Sequence, residues 1–206
     1  MNTSSDQVKI MQRFYRWQAG IYDATRWTFL FGRQRLLQLL PHDENLQVAE
    51  IGCGTGRNLR HLAGLHPTWQ FTGIDVSPDM LRQARKATAA YSDRVNLLQT
   101  AYGTGNSPLS EPVDVILFSY SLTMFNPGWE TAIEQAWQDL KPGGTVAVVD
   151  FHDTPYAWFR TWMTANHVRM DRHLLPVFGN RFQPEVKHVD AAFGLLWRYF
   201  LFVGKK

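Results

Sequence analysis

Val48-Ala49-Glu50-Ile51-Gly52-Cys53-Gly54-Thr55-Gly56 is the stretch on which the fold turns. Its first four residues have the short apolar character of a buried strand, interrupted only by an acid near its end. Gly52, Gly54 and Gly56 then bend the backbone tightly enough for a ligand to lie against it. Arg57-Asn58-Leu59-Arg60-His61-Leu62-Ala63 carries the chain into a helix. Phe71-Thr72-Gly73-Ile74 makes a second strand, and Asp75 stands at its end, nineteen residues beyond Gly56. A carboxylate at that place accepts both hydroxyls of a ribose.

Strand-like and helix-like runs alternate outward from this unit. Strands are expected near 46–51, 70–75, 94–99, 113–118, 145–150, roughly 183–190 and 195–203, and helices over about 55–64, 78–90 and 128–140. Ser77-Pro78 is a cap-then-proline helix start. Lys141-Pro142-Gly143-Gly144 predicts a helix stop and a tight turn. Thr154 to Met163 opens another helix after the fifth strand. The alternation predicts a parallel doubly wound sheet, whose ligands bind beyond the carboxyl ends of its strands. Glu50, Asp75, Thr100-Ala101, Ser119-Tyr120-Ser121 and Asp150-Phe151-His152 gather at that edge. The last two strands have no helix after them and are expected to close the sheet as an antiparallel hairpin.

The 206 residues suffice for one domain with a full core, and 45% hydrophobic against 19% charged residues is a globular composition. The net charge of +3 is mildly basic. Cys53 is the only cysteine, so no disulfide forms within the chain, as suits a reducing compartment. Met1 to Gln12 is polar, without a signal-peptide core, and no apolar run reaches a membrane span. A cytoplasmic protein, soluble or peripheral on the inner membrane face, is expected.

The glycine spacing separates two ligand classes. Dinucleotide folds use G-x-G-x-x-G and aim a helix N-terminus at a pyrophosphate. Here the pattern is G-x-G-x-G with Glu50 beside it, and an acid there repels a phosphate but suits an amino group. A nucleoside with no phosphates and a cationic amino-acid tail fits, namely S-adenosylmethionine. At these residues the chain resembles the class I S-adenosylmethionine-dependent methyltransferases. The resemblance implies an α/β, Rossmann-like, seven-stranded and mostly parallel sheet with one reversed strand. It implies an N-terminal helical cap over 1–40 and the cofactor-binding domain over 41–206. Glu50 would then hold the methionine amino group, with Gly52, Cys53, Gly54 and Gly56 forming the turn. Asp75 would take the ribose, and Val76 and Met80 would flank the adenine. Thr100 and Ala101 stand where the family often places an acid for the adenine amine, which is a departure. Phe118-Ser119-Tyr120-Ser121 would face the methionine portion and the incoming acceptor.

Further segments narrow the resemblance: Tyr15-Arg16-Trp17, Trp27-Thr28-Phe29-Leu30-Phe31-Gly32-Arg33, Val149-Asp150-Phe151-His152-Asp153 and Asn166 to Pro176. Together they resemble the bacterial N-methyltransferases that complete the betaine lipid diacylglyceryl-trimethylhomoserine. That implies three successive methyl transfers to the amine of a lipid headgroup, at a peripheral membrane surface, with a partner enzyme of the same lipid pathway. His152 is expected as the base, oriented by Asp153 or Asp150. Tyr15, Tyr22, Trp27 and Tyr120 are the candidates for an aromatic cage around the growing ammonium. Arg169 is the candidate for the homoserine carboxylate. The aromatic and arginine-rich stretch 14–33 suits either a lid over the cofactor or a membrane interface.

Other classes stay open or recede. The alternatives are methylation of phosphatidylethanolamine or of a soluble amine, and a non-catalytic S-adenosylmethionine-binding subunit. Nucleic acid is not expected as a partner, because basic residues form no dense cluster. Ser119-Tyr120-Ser121-Leu122 also lacks the Asn/Asp-Pro-Pro-aromatic turn of base-amine methylation. His152, His167 and His173 show no metal-ligand spacing, so no metal is expected.

Overall fold

In the structure, a computed structural model that describes residues 31–206, seven strands join in one sheet. They are β1 (Gln47–Ile51), β2 (Gln70–Asp75), β3 (Val95–Gln99), β4 (Val113–Ser119), β5 (Leu140–Asp153), β6 (Gln183–Ala192) and β7 (Trp197–Lys205). Their order is β3-β2-β1-β4-β5-β7-β6. The first five run parallel, and β7 runs antiparallel to both β5 and β6. The chain leaves β1 on one side for β2 and returns on the other for β4, which opens a crevice at the carboxyl end of β1.

Six α-helices flank the sheet among the described residues: α1 (Arg33–Gln38), α2 (Arg57–Leu65), α3 (Pro78–Ala87), α4 (Trp129–Asp139), α5 (Ala157–Ala165) and α6 (Leu174–Arg181). Strand side chains alternate between two cores, as a period of two requires. Val115 and Leu117 of β4 face one core with Leu36, Leu59, Leu62 and Phe159. Ile116 and Phe118 face the other with Ile133, Ala136, Leu174 and Phe178.

The structure departs from the sequence expectations in three places. β5 begins at Leu140, not after a turn. Lys141 to Gly144 bulge within it, and the pairing jumps from Val113↔Leu140 to Val115↔Thr145. α6 was not expected, because Pro176 and Gly179 weaken its helical pattern. It forms because Leu174, Leu175 and Phe178 bury themselves against the sheet. Of the expected cap over 1–40, α1 lies within the described residues. Tyr15, Tyr22 and Trp27 lie outside them.

Asp150 ties the far end of β5 to the 3-10 turn Leu122–Met124. Its Oδ1 accepts from Thr123 Oγ1 at 2.6 Å and from the Phe151 amide at 2.8 Å, and its Oδ2 accepts from the Thr123 amide at 3.2 Å. Burial pushes this carboxyl up to about 6, against the opposing pull of those bonds.

Two predictions follow from this packing. The folded pKa of Asp150 lies above its ordinary value, so the group favours folding while it is protonated. That contribution is full below about pH 4 and is lost as pH rises through about 6. Urea unfolding across this window should show the stability of wild type relative to Asp150→Asn falling by roughly 3 kcal/mol. A pH-independent difference would refute the raised carboxyl. Phe178 is fully buried between Phe118, Phe182 and Phe202. Its replacement by Ala should cost about 3–5 kcal/mol in the same assay.

Candidate active site

The glycine turn is pinned to β2 by backbone and carboxylate together. The Gly52 and Cys53 amides both donate to the Ile74 carbonyl, at 2.8 and 3.0 Å. The Gly54 amide donates to Asp75 Oδ2 at 2.8 Å, and the Ser77 amide donates to Oδ1 at 2.9 Å. Gly52 has φ 72°, in the left-handed region, and a Cβ there would stand 2.6 Å from Ser121 Cβ. Only a bare backbone fits between the turn and the end of β4. Ionised carboxylate oxygens accept more than one bond each, so Asp75 serves the turn and a ligand hydroxyl at once.

Gly52, Gly54, Asp75, Val76, Met80 and Thr100 line one cleft, as the sequence suggested for a nucleoside. Ser121, expected at this edge with Ser119 and Tyr120, also lines it, and Ile51, Ile74, Tyr102, Met124 and Phe125, to which the sequence reading gave no role in the site, complete its wall. Among the described residues lining this cleft, Asp75 carries the only full charge at neutral pH. Its described lining holds no cation to meet a phosphate, which suits a phosphate-free nucleoside. Tyr102 donates to Asp139 Oδ2 at 2.7 Å, which fixes its ring as wall. Ser121 takes the place expected of Ser119. Ser119 is still within β4 and buried, and the chain turns only at Tyr120, whose φ is 55°. Ala101 follows Thr100 just outside the lining.

Glu50 lies behind the turn, 2% exposed. Asn58 Nδ2 donates to its Oε1 at 2.6 Å, while Arg33 donates from Nη2 at 2.5 Å and from Nε at 3.2 Å to Asn58 Oδ1. The acid is thus joined through an amide to a guanidinium on α1. Sequence reasoning missed both partners. Asn58 stands in the first turn of α2, where an amide beside an acid was a legible signal, but Arg33 is 25 residues away in sequence. Cys53 is buried against Gly73, and burial, with Glu50 and Asp75 adding to it, pushes its thiol far above the usual range. It packs; it is no nucleophile. Gly56 caps α2 with its Cα against Ala84, where a Cβ would come within 2.9 Å of Ala84 Cβ.

The expected catalytic group is not brought to this cleft. His152 lines a separate groove with Arg172, Leu175 and Lys187, on the face of the sheet that α6 covers. Burial lowers its pKa below the usual histidine value. Among the described residues no hydrogen bond joins it to Asp153, whose carboxylate oxygens accept from Arg172 and Arg198. Burial raises the Asp153 carboxyl, but the two guanidiniums outweigh this and hold it low. Asp150 bonds Thr123 and not His152. Tyr120 is buried, and its hydroxyl donates to the Phe31 carbonyl at 2.8 Å. Burial drives that phenol well upward, so it is no base at neutral pH. Arg169 Nε donates to Asp171 Oδ2 at 2.6 Å in an exposed pair. That guanidinium is engaged with Asp171 and not presented to the cleft.

Residues 49–146 match a family model described as a methyltransferase domain. Trans-aconitate 2-methyltransferase of Rhodopseudomonas palustris (strain BisB18) is 31% identical over 113 residues, which are 55% of this chain and 41% of the relative. Malonyl-[acyl-carrier protein] O-methyltransferase of Pectobacterium atrosepticum is 30% identical over 173 residues, 81% of this chain and 63% of the relative. The chain thus spans less than two-thirds of either relative. The crystal structure of the N-methyltransferase NodS from Bradyrhizobium japonicum WM9, in complex with S-adenosyl-L-homocysteine, superposes with a TM-score of 0.69. It covers 85% of this chain and 87% of that one at 22% identity, a likeness of fold. The matched segment holds both acids and all three turn glycines.

Proposed function

We propose that the protein moves methyl groups from S-adenosylmethionine to the amine of diacylglyceryl-homoserine, three times in succession, to give the trimethylated betaine lipid. One observation carries the cofactor half: a glycine turn clasped by Asp75 and backed by Glu50, in a cleft whose described lining holds no cation. The lipid half rests on the resemblance of segments 149–153 and 166–176. It is supported by the tryptophans that α5 exposes beyond the carboxyl end of β5. No helix among the described residues is long and apolar enough to cross a membrane, so the lipid would be met at a surface.

When bound, S-adenosylmethionine supplies an electrophilic methyl on a sulfonium. Asp75 would hold the ribose hydroxyls, Val76 and Met80 the adenine, and Glu50, steadied by Asn58, would attract the ammonium of the methionine tail. The acceptor nitrogen must attack with a free lone pair, and the protein mainly sets the line of approach. With His152 under α6, the proton leaves the amine to solvent. A second reading, methylation of a carboxylate oxygen, is favoured by that same placement, because a carboxylate acceptor needs no base. The two curated relatives are named for acid substrates of that kind.

Asp75→Ala should lower S-adenosylmethionine affinity by at least about tenfold in calorimetry, since it removes both the ribose acceptor and the clasp on Gly54. Wild-type affinity in that variant would refute the cleft as the cofactor site. The rate of lipid methylation should rise with pH toward the acceptor amine's own pKa, about 8 or above, and His152→Ala should leave the profile in place. A rising limb near or below about 6.5 that vanishes in His152→Ala would instead make His152 the base. Labelled methyl transfer to polar-lipid vesicles, resolved by mass, tests the acceptor. A series gaining one, two and three methyl groups on the homoserine lipid is expected. Label on phosphatidylethanolamine or on soluble amines or acids replaces the acceptor. Cofactor binding with no turnover makes the chain a binding subunit.

A further inference from the structure

An unbroken chain of ring contacts crosses one face of the molecule. Tyr156 meets Trp158 at 6.4 Å, Trp158 meets Phe159 at 5.5 Å, and Phe159 stacks on Trp197 at 5.7 Å. Trp197 meets Phe193 at 5.0 Å, and Phe193 meets Phe31 at 5.1 Å. Phe159 and Trp197 are buried and anchor the chain. The others stand out of it: Trp158 is 64% exposed, Trp162 51%, Tyr156 44% and Phe193 49%, with Leu195 at 57% beside them. Thr154 Oγ1 donates to the Leu196 carbonyl at 2.6 Å, so the start of α5 and the turn between β6 and β7 form one surface. That turn presents Phe193 and Leu195 at φ 47° and 78°, where glycine or asparagine is the cheaper residue.

This face has a location and a charge. β7 runs antiparallel to β5, and Arg198 pairs with Asp153. The turn therefore lies at the carboxyl edge of the sheet, the edge that holds the cofactor cleft. Phe31 also borders a groove whose described lining includes Arg33, Arg35, Arg57 and His61, with Arg35 paired to Asp190 at 3.0 Å. Exposed rings thus adjoin a cationic strip at the open edge of the active site.

We propose that the rings of α5 and the β6–β7 turn seat the protein on an anionic lipid bilayer, with the arginine groove against the headgroups. This rests on a lipid acceptor for its purpose and names the surface that would reach it. Tryptophan and tyrosine favour the headgroup boundary, where an apolar ring and a polar edge are both satisfied. Each cation near the surface adds attraction to anionic lipid. A second copy is the poorer occupant, since two-fold pairing through this face would set its arginine strips against each other.

The test is co-sedimentation of the full chain with vesicles of phosphatidylcholine and phosphatidylglycerol, and with phosphatidylcholine alone. The wild type should bind the anionic vesicles more tightly. The double variant Trp158→Ser, Trp162→Ser should lose at least about tenfold in partition, with S-adenosylmethionine affinity unchanged as proof of folding. Arg57→Gln should lose about fivefold on anionic vesicles only, and Arg57→Lys should restore it. A wild type that ignores both vesicles, or a double variant that binds as well as wild type, overturns the proposal. So does a dimer in sedimentation equilibrium that the tryptophan variant breaks. Vesicle binding without lipid methylation keeps this surface and overturns the acceptor. Methylation of the lipid in detergent micelles without vesicle binding does the reverse.

Discussion

The clasp of Asp75 on the glycine turn is the constraint from which the rest of the site follows. One carboxylate accepts the amides of Gly54 and Ser77, while the Ile74 carbonyl accepts those of Gly52 and Cys53. β1, β2 and the starts of α2 and α3 are fixed to one another by these four bonds. Charge-assisted bonds of this kind are stronger than neutral ones, and they hold the turn in shape before a ligand arrives. The same constraint fixes the wall, because Ser121 packs where a side chain at residue 52 would stand.

The interior of this site has the opposite sign to the protein's surface. The chain carries a net charge of +3, yet its cleft is lined by one carboxylate and backed by another. Glu50 is nearly sealed, and burying a bare carboxylate is costly. Asn58 and Arg33 answer that cost in series. Global charge therefore says little about the ligand, whereas the two carboxylates at the turn say much.

Much of this was legible in the sequence, for physical reasons that also mark the limit. The parallel strands could be located because residues buried on both faces form continuous apolar runs. The turn could be read because three glycines between two acids combine local conformation with local charge. α6 could not, since packing alone overrides the effect of Pro176 and Gly179. The place of His152 in a separate groove was hidden for a related reason. Strand parity places Asp150 and His152 on one face with Val148, but which helix covers that face is a long-range fact. The Arg33–Asn58 contact is equally long-range, and no spacing rule announces it.

The two halves of the molecule also differ in what they specify. The segment shared with the methyltransferase domain ends at residue 146. Every turn glycine and both cleft acids precede that point. Asp150, His152, α5, α6 and the β6–β7 hairpin follow it, and α1 precedes the segment entirely. The sheet therefore brings the glycine turn of the matched segment against elements built outside it. Folds host many functions in this way, with chemistry set by grafted elements. The relative named for malonyl-[acyl-carrier protein] matches 173 residues, so its likeness reaches beyond that segment. Outside that segment stand tryptophans exposed on α5, apolar residues at a left-handed turn and arginines on α1. Leaving that much aromatic surface in water is unfavourable unless a surface covers it. The acceptor is therefore to be sought from the exposed face inward, not from the glycine turn outward.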